Sequence, residues 1–541
     1  MPNIEGRKFR FGVQNLRRLD CVAPVEIKPI TVLVGRNSSG KSTFLRALPL
    51  LRQSITTRTS SPVLWYGDWV DFGDFERAVF GNDSAKTITF TFGADSVERS
   101  QIYYSPDDFL VFEPNRSPFS DLALNICVSK HGEGTKIASL ELRESSNEVF
   151  YSLVVGDDGR VSKLSIDGHD MTSKLNALDM IISPGSILPT IIVNQKGKER
   201  AQGVEFRPIN EFAASISVLE KFVAPYLDRR IGTETLQRLV GPLLNLSVVS
   251  RDTLREQAGH TKNRSWAKFL RDMSEGRRLT LFEQFRRELL FAILPVLCNS
   301  AARAFRGYIS STLYVGPARA RSDRYHRYQD LAVSEIDPDG KNFPMFLNSL
   351  SDAEITDFSG WVKELFGYGV TVVRGAGHIS IHLEYDYSTV NVVDTGYGVS
   401  QILPVLGQVW WANNRPQSSG SIRTPSEDPI IAIEQPELHL HPAHQALLAD
   451  AFVNSIRSND GGGHRRRRRH NTHFLIETHS EALINRLGAL VAEGKIAPNH
   501  VQILVFDSGD KEQRNTSVTI AKFDPDGQLL DWPYGFFVPS V

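Results

Sequence analysis

The octapeptide GRNSSGKS, Gly35 to Ser42, sets two glycines, a lysine and a hydroxyl at the spacing G-x-x-x-x-G-K-[ST]. Those residue types suit the cradling of a phosphate chain. Gly35 and Gly40 permit a tight backbone whose N–H groups converge on anionic oxygens, and a helix N-terminus behind them adds its dipole. Lys41 is placed to neutralise β- and γ-phosphate charge and Ser42 to ligate Mg²⁺, which makes ATP and Mg²⁺ the expected cofactors.

Three distant stretches carry further chemistry. PIIAIEQPE is an apolar strand ending in Glu434, where a carboxylate would hold magnesium through water. Gln435 follows it and can orient water but cannot take its proton at neutral pH. Loss of a general base typically costs about 10² to 10⁴ in rate, so slow turnover is expected, with either the phosphate itself or Glu437, beyond Pro436, taking the proton. DTGYGVSQILPVL sets a Gly-x-Gly turn before Ser400 at the start of a helix, either a second anion site or a loop with a serine cap. FLIETHSEAL puts His479 just beyond an apolar strand, where an imidazole either touches a γ-phosphate or is structural.

The elements that position these residues follow from periodicity. KFRFGVQNL and APVEIKPITVLVG read as strands leading into the glycine-rich turn and a helix beginning near Lys41. From about 85 to 165 the chain alternates as an antiparallel sheet, and from about 207 to 310 apolar residues recur at helical spacing. STLYVGPAR, PIIAIEQP and THFLIETHS then read as strands, VSQILPVLGQVWWA and PAHQALLADAFVNSIR as helices, and HVQILVFDSG with SVTIAKFDPDG as an edge hairpin. The expected organisation is an ATPase head in two parts, 1–206 with the phosphate loop and an antiparallel β subdomain, and 311–541. A helical lobe, 207–310, is inserted between them.

At 541 residues the chain exceeds the roughly 250 to 300 residues at which single cores stop growing. Its composition is that of a globular protein, and no run of about 18 apolar residues is read as a bilayer span. The start lacks an apolar export segment, so the cytoplasm is the expected location. Cys21, Cys127 and Cys298 form no disulfide framework or metal knuckle and are expected to be buried or inert. His439, His441 and His444 lack the companions that a tetrahedral zinc site needs. A net charge of −1 excludes a global pull toward nucleic acid. Arg465, Arg466, Arg467, Arg468 and Arg469 form a local basic run, either a solvated insertion or a phosphate contact.

In order, the motifs are phosphate loop, inserted lobe, signature, magnesium carboxylate and switch histidine. They resemble the ATP-binding-cassette class. ITVLVGRNSSGKST, YVGPAR, GYGVSQILPVL, IEQPELHLHP, ETHSE and WPYGFF are more closely similar to a bacterial family of SMC-like AAA ATPases. That family includes the overcoming-lysogenization-defect class and the Septu-type and retron-associated defence ATPase subunits. The resemblance implies an α/β P-loop NTPase of the ABC/SMC-head type whose heads dimerise around ATP. It assigns Gly35, Arg36, Asn37, Ser38, Ser39, Gly40, Lys41, Ser42 and Thr43 to the phosphates, and Ser42, Glu434 and Gln53 to magnesium. Gly398 and Ser400 are assigned to the partner's γ-phosphate, His479 to the switch, and the His439–His441 stretch to the head interface. The stretch after His479 is too short for the metal nuclease domain of lysogenization-type members, so nuclease chemistry is expected in a partner effector. A repair ATPase that clamps DNA directly is the alternative.

Overall fold

The computed structural model describes residues 8–98, 100–104, 110–114, 119–196, 209–246, 248–275, 279–330, 333–414, 428–457, 472–508 and 516–532. Arg465 to Arg469 and the end of WPYGFF lie outside the described residues. The chain divides into two compact units, one of Met1–Gly12, Thr57–Leu64 and Asp83–Arg306, the other of Val13–Thr56, Trp65–Asn82 and Gly307–Val541.

In the first unit, long strands alternate buried and exposed side chains and pair antiparallel from Ile88–Val97 through Phe119–His131, Gly134–Glu144 and Val149–Val155 to Val161–Ile166. The helices of the 207–310 stretch belong to this same unit, where the sequence reading expects a separate lobe. The physical reason lies in the sheet's buried face. The fully buried Tyr151 donates its hydroxyl to the Leu290 carbonyl at 3.1 Å, and Phe92 packs its ring 5.5 Å from Phe305, both partners lying on the helix Leu279–Ser310. By length and composition that helix is apolar enough to cross a bilayer, a feature the sequence reading does not register. In the fold 78% of its most apolar window is buried in protein, as in the core helix of a globular unit.

The second unit is built on a seven-stranded sheet. Its strands are β1 (Ile30–Gly35), β2 (Leu313–Val315), β3 (Ile430–Glu434), β4 (His473–Glu477), β5 (Val501–Ser508), β6 (Thr516–Phe523) and β7 (Leu529–Leu530). They lie in the order β2-β3-β4-β1-β5-β6-β7, parallel from β2 to β5 and antiparallel beyond. Continuous apolar runs such as ITVLVG and IIAIE make such strands, because a parallel sheet is covered on both faces. The helices that follow are α1 (Lys41–Thr56), α2 (Tyr397–Asn414), α3 (Pro442–Arg457) and α4 (Glu481–Ala492). Val32, Val34, Ile431, Ile433, Phe474 and Ile476 join Leu403, Leu406, Phe452 and Leu487 in one core. Burying each such side chain contributes about 1.5–3 kcal/mol.

Two features depart from the sequence reading. β5 pairs antiparallel with β6 as the expected hairpin, but β5 itself is interior, lying beside β1, because its apolar face completes the parallel sheet. A small antiparallel sheet of His326–Arg327, Gly369–Gly375, His378–Tyr385 and Ser388–Asn391 is also present, and its short, mixed strands give little periodic signal. Among the cysteines Cys298 is buried, and Cys21 is exposed, facing outward on a strand.

Candidate nucleotide site

The parallel strands bring the C-terminal ends of β1, β3 and β4 to one edge of the sheet, where ligands bind in α/β folds. β1 ends at Gly35, whose φ is +153° and whose absent side chain would meet the Phe506 carbonyl oxygen at 2.3 Å. Ser38 at φ +64° and Gly40 at φ +102° complete the tight loop before α1. This is the strand, loop and helix expected of a phosphate cradle.

An open cleft of about 470 Å³ lies over the loop. It is lined by Asn37, Ser38, Gly40, Lys41, Ser42 and Thr43 from the loop and α1, by Gln435, Glu477 and His479 from the neighbouring strand ends, and by Arg17 and Arg18. Gly35 and Arg36 act from below, their carbonyls accepting from Lys41 Nζ at 3.0 and 2.8 Å. Ser39 is buried, and its hydroxyl has no protein partner among the described residues. Burial holds the Lys41 ammonium below its usual pKa, against the pull of Glu477, whose carboxylate is 3.9 Å away.

The carboxylates do not sit as the motif order implies. Glu434 and Glu477 are register partners on β3 and β4. The Glu434 carboxylate is gripped by Arg46 of α1 through two hydrogen bonds of 2.6 and 2.7 Å, and it accepts the Tyr314 hydroxyl at 2.7 Å. Tyr314 is held well above its usual pKa by burial and by the Glu434 charge, and the hydrogen bond to Glu434 raises that of Arg46. Glu434 therefore turns onto α1 and does not line the cleft. Ser42 Oγ donates instead to Glu477 Oε1 at 2.9 Å. Glu477 Oε2 is buried and has no protein partner among the described residues. Burial pushes the Glu477 carboxyl above the usual carboxylate range, with the Ser42 hydrogen bond acting against it.

Gln435 reaches the cleft because its backbone turns left-handed, at φ +43°. Glu437 does not reach it. Its Oε1 accepts the His479 backbone N–H at 2.7 Å, and burial raises its pKa. It holds the His479 main chain and does not line the cleft. Arg319 lies beneath this turn and donates to the Glu434 and Gln435 carbonyls at 2.8 and 3.3 Å. Burial pushes its guanidinium down to about 10, still charged at neutral pH. Burial and the Lys41 charge keep the His479 imidazole below its usual pKa.

Gln53, expected as a metal ligand, is buried against the Val70 backbone, where its amide donates to the carbonyl and accepts the N–H, both at 3.2 Å. It lies three turns along α1, beyond reach of the loop. Gly398 and Ser400 do not line the cleft. They occupy the first turn of α2, where Ser400 Oγ donates to the Tyr397 carbonyl at 2.8 Å. A side chain on Gly398 would meet the His439 carbonyl oxygen at 2.3 Å, and the His439 ring stands edge-on to Tyr397 at 4.9 Å. His444 packs on Phe366. Sequence reasoning missed Arg17, Arg18, Arg46, Tyr314, Arg319 and Glu477. Tyr314, Arg319 and Glu477 stand within its quoted motifs, but nothing in their spacing announces a side-chain partner.

Magnesium suits this donor set. A hydroxyl and a carboxylate beside phosphate oxygens and water are its customary ligands. The buried Glu477 Oε2 supplies a lone pair that no donor among the described residues satisfies.

Two stretches of the chain match AAA domain models. An AAA ATPase domain model matches residues 329–484, which hold Gly398, Glu434 and His479. A model described as AAA domain, putative AbiEii toxin, Type IV TA system, matches 30–118, which hold the phosphate loop. Residues 496–537 match a protein of unknown function (DUF3696). No curated protein matches the chain. Among solved structures the chain is similar to the Smc head domain of Pyrococcus furiosus, with 12% identity, a TM-score of 0.31, and 96% and 97% of the two chains covered. It is similar to the SMC head domain of Thermotoga maritima at 8% identity and 0.30, covering 95% and 98%. It is also similar to the recombination mediator protein RecF-ATPrS of the RecFOR pathway, at 9% identity and a TM-score of 0.30, covering 94% and 98%. The loop, the sheet order and the two AAA matches identify a P-loop NTPase fold.

Proposed function

We propose that the chain is an SMC-like ATPase that binds ATP, hydrolyses it slowly and closes two heads around it. Its nucleotide state then holds or releases a partner effector, a nuclease, in bacterial antiphage defence. The observation that carries the ATPase reading is the convergence of Lys41, Ser42, Gln435, Glu477 and His479 on one cleft. Loop N–H groups and Lys41 receive the phosphates, and Ser42 with a carboxylate holds the cation. Bound magnesium would neutralise charge on the β- and γ-phosphate oxygens. Gln435 orients the attacking water without taking its proton, which suits a timer better than a motor. A largely neutral His479 offers the γ-phosphate a hydrogen bond.

Gly398 and Ser400 support the head dimer. They begin a helix away from the cleft, and a helix N-terminus favours an anion, which the second head's nucleotide supplies. The AbiEii description of the 30–118 match supports the defence role. Three measurements test the reading: single-turnover hydrolysis, light scattering with and without ATP, and co-purification of a nuclease. An ATP-dependent dimer that Ser400→Arg prevents is expected. Hydrolysis without a partner at about 10 per second, the median for enzymes, removes the slow timer. A monomer at saturating ATP removes the head dimer, and absence of a co-purifying nuclease removes the effector role.

A further inference from the structure

We infer that Glu477, and not the strand-end Glu434, is the protein carboxylate that binds the divalent cation of the nucleotide; this rests on the ATPase reading above. Both residues end neighbouring parallel strands at the same register, so backbone position does not separate them. Their partners do. Both Glu434 oxygens are engaged, Oε1 by Arg46 Nε and the Tyr314 hydroxyl and Oε2 by Arg46 Nη2. A cation there would have to displace a guanidinium that already neutralises the carboxylate. Glu434 lies outside the cleft, and its main-chain carbonyl is tied to Arg319.

Glu477 has the opposite surroundings. It lines the cleft, and its Oε1 is 2.9 Å from Ser42 Oγ, the hydroxyl of the phosphate loop. Magnesium binds oxygens at about 2.0–2.1 Å in an octahedron, so two adjacent ligands stand roughly 3 Å apart. The Ser42 and Glu477 oxygens already have that separation. Among the described residues Glu477 Oε2 is buried without a protein donor, and the cation within ion-pair distance of the carboxylate, Lys41 Nζ at 3.9 Å, is bonded to the Gly35 and Arg36 carbonyls. The pair Arg46–Glu434 thus serves as a pillar between α1 and β3, and the cation-binding carboxylate has moved one strand toward the phosphate loop.

The test is Mn²⁺ titration, followed by electron paramagnetic resonance, of the full chain carrying a non-hydrolysable ATP analogue, with nucleotide binding measured separately in EDTA. Glu477→Gln is expected to weaken Mn²⁺ binding by at least about tenfold while retaining nucleotide in EDTA. Glu434→Gln is expected to keep Mn²⁺ affinity within about threefold, well short of the loss of a metal-binding group. Should Glu434→Gln unfold, the double variant Arg46→Gln/Glu434→Gln, which leaves no buried unpaired charge, answers the same question. Unchanged Mn²⁺ affinity in Glu477→Gln, or a larger loss in Glu434→Gln, overturns the assignment while the ATPase reading stands. Failure of the wild-type chain to bind nucleotide with or without metal overturns both.

Discussion

Arg46 and Glu434 join the phosphate-loop helix to strand β3 through a two-point hydrogen-bonded ion pair, with Glu434 almost wholly buried. A carboxylate that motif order assigns to magnesium is thereby committed to packing α1 on the sheet. Four predictions follow from this arrangement and its neighbours.

Removing one partner of that pair leaves a charge stranded in the core. Arg46→Ala is expected to destabilise the chain by about 3 kcal/mol, since breaking a buried pair costs far more than the pair itself contributes. Adding Glu434→Gln should recover part of the loss. Chemical denaturation of the single and double variants measures the coupling, and strictly additive losses would contradict it.

Lys41 brings a positive charge to the cleft beside those of Arg17 and Arg18. Its replacement by alanine should weaken ATP binding by about 3 kcal/mol, roughly 10²-fold, the worth of a charge-assisted bond to phosphate. Titration with a fluorescent ATP analogue reads this directly. Affinity within threefold of wild type would place the phosphates elsewhere.

Gln435→Glu restores a proton acceptor at a left-handed position that faces the cleft. Single-turnover hydrolysis should rise by about 10²-fold, the lower end of general-base effects. Glu437→Gln should leave the rate much closer to wild type, because that carboxylate holds the His479 main chain. A collapse in rate for Glu437→Gln with an unchanged rate for Gln435→Glu would reverse these roles.

Glu437 also makes stability depend on pH. Burial raises its folded pKa above the unfolded value, so the native state binds the extra proton. Its contribution is complete below the unfolded pKa of about 4.3 and is lost as pH rises through the raised folded value. The melting temperature of wild type relative to Glu437→Gln should therefore fall across that window. A difference that grows with pH would contradict the burial argument.

Much of the nucleotide site is legible in the linear chain because its parts are local. The spacing in GRNSSGKS sets a backbone geometry that only glycines at Gly35 and Gly40 tolerate, and the strand and helix on either side follow from apolar periodicity. IIAIE and FLIE announce themselves as buried strands for the same reason. The grouping of helices 209–306 with the antiparallel sheet is not local. It depends on pairs such as Tyr151 with Leu290, more than a hundred residues apart.

The sequence by itself determined that a phosphate-loop motif, an acidic strand end and a histidine beyond a neighbouring strand are present, because each is encoded within a few consecutive residues. Only the tertiary structure decided which carboxylate faces the phosphate loop. Strand order places Glu477 next to β1 and Glu434 one strand farther away, where Arg46 and Tyr314 claim it. Two glutamates at equivalent strand ends are indistinguishable in a linear chain. Their partners, drawn from distant segments, give one to the cleft and the other to the core.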